Sequence, residues 1–160
     1  MGLKIQAFNA AADFDTQRQL VALYEGQPFV EVMHQALTGI AGMWIYTAHI
    51  KRQLLVGAGM LKTSEAVMPI GQEVNPLAWA ISYMVTHPQY RRQGVGRALL
   101  RHMEADAHRN GGRILYLYTD VNNTGAIELY RTTGFERMAD QSKQAVFVKL
   151  LGETYGADRR

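Results

Sequence analysis

Ala78-Trp-Ala-Ile-Ser-Tyr-Met-Val-Thr86, then His87-Pro88, then Arg91-Arg92-Gln93-Gly94-Val95-Gly96-Arg97: the reading of this stretch decides the fold. The first nine residues carry no charge, and their length and His-Pro boundary fit a buried central strand better than a helix. From Gly94 or Val95 the period changes. Val95, Leu99 and Met103 recur four apart, Leu100 and Ala107 fill the same stripe, and Asn110-Gly111-Gly112 closes the run with a left-handed cap. Ile114–Tyr118 is a second apolar strand. Strand, helix and strand over 78–118 make a right-handed crossover, so the two strands are expected as parallel neighbours.

The loop between strand and helix carries chemistry. Two glycines spaced by one residue let the main chain approach a ligand closely. A helix start leaves several N–H groups without intrahelical partners, and with the helix dipole they form an anion site suited to a pyrophosphate. Arg91, Arg92 and Arg97 add charge-assisted donors. The string by itself is weak, since this composition supplies it by chance roughly 0.2 times per chain; its place between a strand and a helix raises it. A Walker loop needs Lys-Ser/Thr after its last glycine, and Gly96 is followed by Arg97-Ala98. A dinucleotide fingerprint needs a third glycine where this chain has Leu99.

Outward from this centre, Thr124–Thr133 reads as a helix stopped by Gly134, and Gln144–Leu151 as a last strand. Towards the N-terminus, Trp44–His49 and Gln53–Met60 form an antiparallel hairpin around Ile50-Lys51-Arg52. Thr63–Pro76 is a long loop. A helix is expected over Phe29–Leu37, closed by Thr38-Gly39. Another starts from an N-cap at Asp15 or Thr16, with Leu20, Val21 and Tyr24 on one face. Lys4–Phe8 is a first strand. No linker or repeat divides residues 1–160, so one domain is expected, with a core about 78–135 and a solvated tail over 152–160.

Composition sets the bounds. The 160 residues suit one ordinary domain. The absence of cysteine excludes disulfides, thiolate nucleophiles and Cys-ligated zinc, and no metal site is expected. The residues from Met1 lack the apolar run of a signal peptide, and no stretch has the length of a membrane span, so a cytoplasmic protein with no membrane partner is expected. A formal charge of +3 permits an anionic ligand. It does not argue for nucleic acid, because the arginines gather on one loop without interleaved aromatics.

A second feature lies downstream: Asn123-Thr-Gly-Ala126-Ile-Glu-Leu129-Tyr130-Arg-Thr-Thr-Gly134-Phe135. Ala126, Leu129 and Tyr130 share a helical face. On spacing alone Tyr130 is a core tyrosine or a catalytic one, and the core reading is the commoner.

Both strings together, in order and on the right elements, resemble the GNAT superfamily of N-acetyltransferases over about Trp79–Phe135. The resemblance implies an α/β (α+β) fold: a mixed, mostly antiparallel sheet, helices on both faces, and a parallel pair of fourth and fifth strands splayed to admit acetyl-CoA. By that resemblance Met84, Val85 and Thr86 offer backbone groups to the pantetheine arm. Arg91, Arg92, Gln93, Gly94, Val95, Gly96 and Arg97 hold the pyrophosphate, and Asn123 touches the cofactor from the other wall. Tyr130 matches the general acid that protonates the departing thiolate.

The implied reaction is acetyl transfer to an amine-bearing acceptor, a small molecule or peptide, by direct attack. A protein N-terminus or lysine, or a non-catalytic CoA-binding module, are the alternatives. Where some members carry a catalytic glutamate five residues before Asn123, this chain has Tyr118. The base is open among Glu73, Asp120, His87 and a water chain. Many members of the superfamily dimerise, and the last strand offers an edge on which a homodimer can form.

Overall fold

A computed structural model describes residues 2–9, 13–27, 37, 39, 41–63 and 75–152. The described strands are β1 (Lys4–Ala7), β2 (Met43–Ile50), β3 (Leu54–Thr63), β4 (Ala78–Thr86), β5 (Ile114–Asp120), β6 (Glu136–Arg137) and β7 (Gln144–Leu150). They form one sheet in the order β1-β2-β3-β4-β5-β7-β6. Every neighbouring pair is antiparallel except β4–β5. The described helices are α1 (Phe14–Tyr24), α2 (Val95–Arg109) and α3 (Thr124–Thr132). The crossover β4-α2-β5 and the β2–β3 hairpin are therefore those expected. The long loop at 64–74, most of the helix expected over Phe29–Leu37, and the tail beyond Gly152 lie outside the described residues.

Helices cover both faces because the strands alternate. On β2, Tyr46 and Ala48 point to α2, while Ile45 points to α1. The α2 stripe read from the sequence, Val95, Leu99, Leu100, Met103 and Ala107, is buried to the last residue. Burial of large apolar side chains of this kind contributes about 1.5–3 kcal/mol each before entropy is subtracted. Gly57 lets the helix sit this close to β3, since a Cβ there would stand 2.6 Å from Val95 Cγ1.

Two expectations are corrected. The cap of α1 is Asp13, neither Asp15 nor Thr16. The Asp13 carboxylate accepts from Thr16 N at 2.9 Å and from the Thr16 hydroxyl, which also holds its pKa below the usual value. The helix begins two or three residues earlier than expected, at Phe14, and Val21 is turned outward while Leu20 and Tyr24 are buried. Second, β7 is not an open edge. Glu136–Arg137 pairs with Val148 and Phe147, and Met138 N donates to Val146 O at 2.8 Å. A two-residue strand shows no period, so β6 was invisible in the sequence.

Candidate active site

The parallel pairing of β4 with β5 lasts three residues: Ala78 with Ile114, Trp79 with Leu115, Ala80 with Tyr116. Beyond Ala80 the strands part, so the β5-facing edge of β4 from Ile81 to Thr86 has no ladder partner among the described residues. A bulge in β4 lies within the parted stretch. Against β3, Ala58 pairs with Val85 and Met60 with Ser82, so Tyr83 and Met84 together oppose the single Gly59. Tyr83 takes φ 53°, a left-handed value that costs a non-glycine residue of order 1 kcal/mol. Its carbonyl is held by the hydroxyl of the fully buried Tyr24 on α1. Burial pushes the Tyr24 phenol far above its ordinary pKa, so it stays a donor.

The parted strands open into a cleft of about 1180 Å³. Met84, Val85 and Thr86 line one wall, as do Arg91, Arg92, Gly94, Val95, Gly96 and Arg97 of the glycine loop. The loop turns through left-handed conformations at Arg92 (φ 62°) and Gly94 (φ 85°). The first helical bond is Ala98 N to Gly94 O at 3.0 Å, and among the described residues no side chain caps the helix. The N–H groups of Val95, Gly96 and Arg97 precede that bond, which leaves them for an anion.

The two glycines do different work. A Cβ on Gly94 would meet nothing within 4 Å among the described residues, so its conformation is what the turn requires. A Cβ on Gly96 would stand 2.9 Å from Leu129 Cδ2, so Gly96 lets α2 pack against α3. Gln93 is placed differently from the rest: its side chain donates to Gln89 O at 3.1 Å, outside the cleft lining. Arg91 donates to Thr86 O at 3.4 Å, and Arg97 reaches Thr132 Oγ1 at 3.1 Å.

The opposite wall comes from β5 and α3. Asn123 caps α3, its Oδ1 accepting from Ala126 N at 3.2 Å, which leaves its NH₂ donors for the cleft it lines. Tyr130 is 6% exposed, packs on Phe135 and Phe147, and still lines the cleft. Tyr130 is thus a core residue by burial that also reaches the cleft. Burial pushes its phenol up to about 12.

Of the bases considered, Asp120 lines the cleft, and its Oδ1 accepts from Asn122 N at 2.7 Å. His87 does not line it; its Nδ1 accepts from Gln89 N at 3.3 Å and its ring meets Tyr90. Glu73 lies outside the described residues. Tyr118, at the position where some members of the superfamily carry a glutamate, is a half-exposed cleft residue in edge contact with Tyr116.

The sequence reading missed the part of the cleft on the α1 face: Lys62, Ser82, Tyr83 and Tyr116. No motif joins these residues; they meet through strand register, Lys62 opposite Ala80 and Ala80 opposite Tyr116.

Comparison with known proteins bears on this geometry. The model of the acetyltransferase (GNAT) family matches residues 13–135. A curated relative, the [ribosomal protein bS18]-alanine N-acetyltransferase of Escherichia coli K12, is 44% identical over 48 residues, 30% of this chain and 32% of the relative. The match thus spans about a third of that relative's length. Among solved structures, the ribosomal-protein-alanine N-acetyltransferase of Brucella melitensis superposes with a TM-score of 0.72 at 19% identity, covering 92% of this chain and 99% of that one. The PaiA N-acetyltransferase of Thermoplasma acidophilum, in complex with coenzyme A, gives 0.72 at 16% identity over 94% and 99%. At such identities the superpositions establish the fold.

Proposed function

The chain belongs to the acetyltransferase (GNAT) family, and from that premise we propose that it moves an acetyl group from acetyl-CoA to a primary amine of a small molecule or peptide. The observation that carries this reading is the parting of β4 from β5 beside an uncapped, arginine-flanked helix start. The residues present fit the donor. The cleft exceeds the roughly 300–1000 Å³ of ordinary small-ligand pockets, as a long cofactor needs. Arg91, Arg92, Arg97 and the N–H groups of Val95 and Gly96 would hold its phosphates. The unpaired edge of Met84, Val85 and Thr86 would receive the amide-bearing arm as an added strand receives its neighbour, and Asn123 would donate from the far wall.

Acetyl-CoA supplies an acyl group activated as a thioester. The chain's own contribution follows from charge and proton placement. Main-chain N–H groups along the unpaired β4 edge can hold negative charge on an acyl oxygen without reorganising. Tyr130 keeps its proton through neutral and mildly alkaline pH because burial disfavours the phenolate, so it has a proton to give to a departing thiolate. An acceptor amine must arrive uncharged, and Asp120 is the described carboxylate at the end of β5 through which, with water, its proton can leave.

A second acceptor, a protein N-terminal amine, draws support from the ribosomal-protein-alanine relatives. One assay tests both acceptors: thiol release from acetyl-CoA with a panel of small amines and an alanine-terminated peptide. Turnover with at least one amine is the expected result. No turnover alongside tight acetyl-CoA binding would refute the transfer reaction and leave a CoA-binding module.

A further inference from the structure

Lys62 and Ser82 stand out among the cleft residues because nothing in the donor-binding arrangement uses them. Both lie on the α1 face of the sheet. Lys62 is opposite Ala80, and Ser82 is the next residue along β4 on the same face, so the two side chains are diagonal neighbours across β3 and β4. Lys62 Nζ sits 4.3 Å from the centroid of the Tyr83 ring, and no carboxylate pairs with it among the described residues. Ser82 Oγ is buried with no hydrogen-bond partner among the described residues. A half-desolvated cation and an orphaned hydroxyl side by side are costly unless a ligand satisfies them. Partial burial also lowers the Lys62 pKa, the direction expected for a charge awaiting a counter-ion.

The surroundings narrow what that ligand is. Ala80, between Lys62 and Tyr116, is too small to fill the floor. Tyr83 walls one side, and Tyr116 with Tyr118 in edge contact walls the other. Tyr83 directly precedes Met84–Thr86, the edge assigned above to the donor. An anionic group bound by Lys62 therefore lies close to where an amine must attack.

We propose that the acceptor is an amine carrying a carboxylate a few bonds away, an amino acid or its like, whose carboxylate is recognised by Lys62 and Ser82 against an aromatic wall. This rests on the transferase reading above. The geometry disfavours polyamines, whose second cation would face Lys62. It also gives Lys62 a role in reactivity. A carboxylate beside an ammonium holds its proton on, and neutralising the carboxylate eases the loss of that proton, which the cleft has few bases to accept.

The test compares matched acceptors with the full chain and acetyl-CoA: L-phenylalanine, L-phenylalaninamide, putrescine, and the peptide amide Asp-Phe-NH₂, whose carboxylate comes from a side chain. The expected result is a kcat/KM for L-phenylalanine about tenfold or more above its amide, expressed mainly in KM. Lys62→Met, which keeps the stem, should erase that ratio while the KM for acetyl-CoA stays unchanged, and Lys62→Arg should keep most of it. Equal use of Asp-Phe-NH₂ supports a carboxylate from an acidic peptide. A preference for the amide or for putrescine, or a ratio that survives in Lys62→Met, overturns the proposal.

Should no amine be acetylated while acetyl-CoA still binds, the transfer reaction has failed, and calorimetry of L-phenylalanine on the CoA-loaded protein decides the subsite by itself. Binding lost in Lys62→Met supports it, and no binding overturns it.

Discussion

Gly94→Glu separates the two things that the loop glycine does. In the free protein a Cβ at Gly94 meets no atom within 4 Å, so the folded state suffers only the left-handed φ of 85°. That strain is about 1–2 kcal/mol, and a carboxylate at a helix N-terminus returns about 0.3–1 kcal/mol. The expected loss of Tm is then no more than about 8 °C for a chain of this size. With donor present the sign reverses. A carboxylate about 5 Å from one phosphate charge costs about 3 kcal/mol at an effective dielectric of 20. Halving that for solvent screening at an open loop still leaves about 1.5 kcal/mol, and a pyrophosphate carries more than one charge. Calorimetry should show acetyl-CoA affinity down at least tenfold, with part of the loss recovered at high salt. Gly94→Ala carries the same backbone strain without charge, so its smaller loss should be insensitive to salt. A Gly94→Glu protein that binds acetyl-CoA as tightly as the parent would refute the assignment of this loop to phosphates.

Tyr130→Phe should leave the thermal midpoint nearly unchanged, since no hydrogen bond to its hydroxyl forms among the described residues, and should lower kcat about a hundredfold in the thiol-release assay. An unchanged rate would make it a core residue only. With its folded pKa raised to about 12 above an unfolded value of about 10, the stability linked to the protonated phenol is complete below about pH 10 and is lost as pH rises towards 12. A pH–kcat profile should accordingly show no tyrosine limb below about pH 11. Gly57→Ala should cost about 1–3 kcal/mol by urea denaturation, because the new methyl meets the stiff Val95 Cγ1 at 2.6 Å and Val85 O at 3.1 Å. Gly96→Ala should cost less, its 2.9 Å neighbour being the mobile end of Leu129. Lys149→Met removes the cation 2.7 Å from Glu104 and the donor to Thr133 O, and should destabilise by about 1–3 kcal/mol in the same measurement.

The proposed donor half of the site is legible in the sequence because its physics is local. An anion site at a helix start needs a strand end, a turn and the first helical residues, all consecutive, so Arg91–Arg97 displays it as a string. The α2 stripe was legible for the same reason, five apolar residues at helical spacing. Most of what escaped was set by partners far along the chain, and the α1 cap is the exception. The α1 cap moved to Asp13 because Thr16 offers both its N–H and its hydroxyl to one carboxylate, a local signal outweighed in the reading by the acids and hydroxyls beside it. The pairing of β6 rests on Phe147 and Val148, and two residues carry no period from which to infer it. The bulge at Tyr83 is recorded only in the mismatch between Gly59 and the pair Tyr83-Met84.

The proposed acceptor half has no motif for a related reason. Lys62, Ser82 and Tyr116 stand on three strands, and what brings them together is register: Lys62 across from Ala80, Ala80 across from Tyr116. Side chains alternate with period two, so a slip of one residue in β3 would turn Lys62 into the α2 core and Leu61 into the cleft. Leu61 is 1% exposed and packed beneath α2, so burial of that one leucine, about 1.5–3 kcal/mol, already penalises the slip. The apolar core thus holds the register, and the register places the cation. On the proposal above, acceptor choice is set where the sequence is least motif-like, and substitutions at Lys62, Ser82 or Tyr116 should change the amine used while leaving the binding of acetyl-CoA intact.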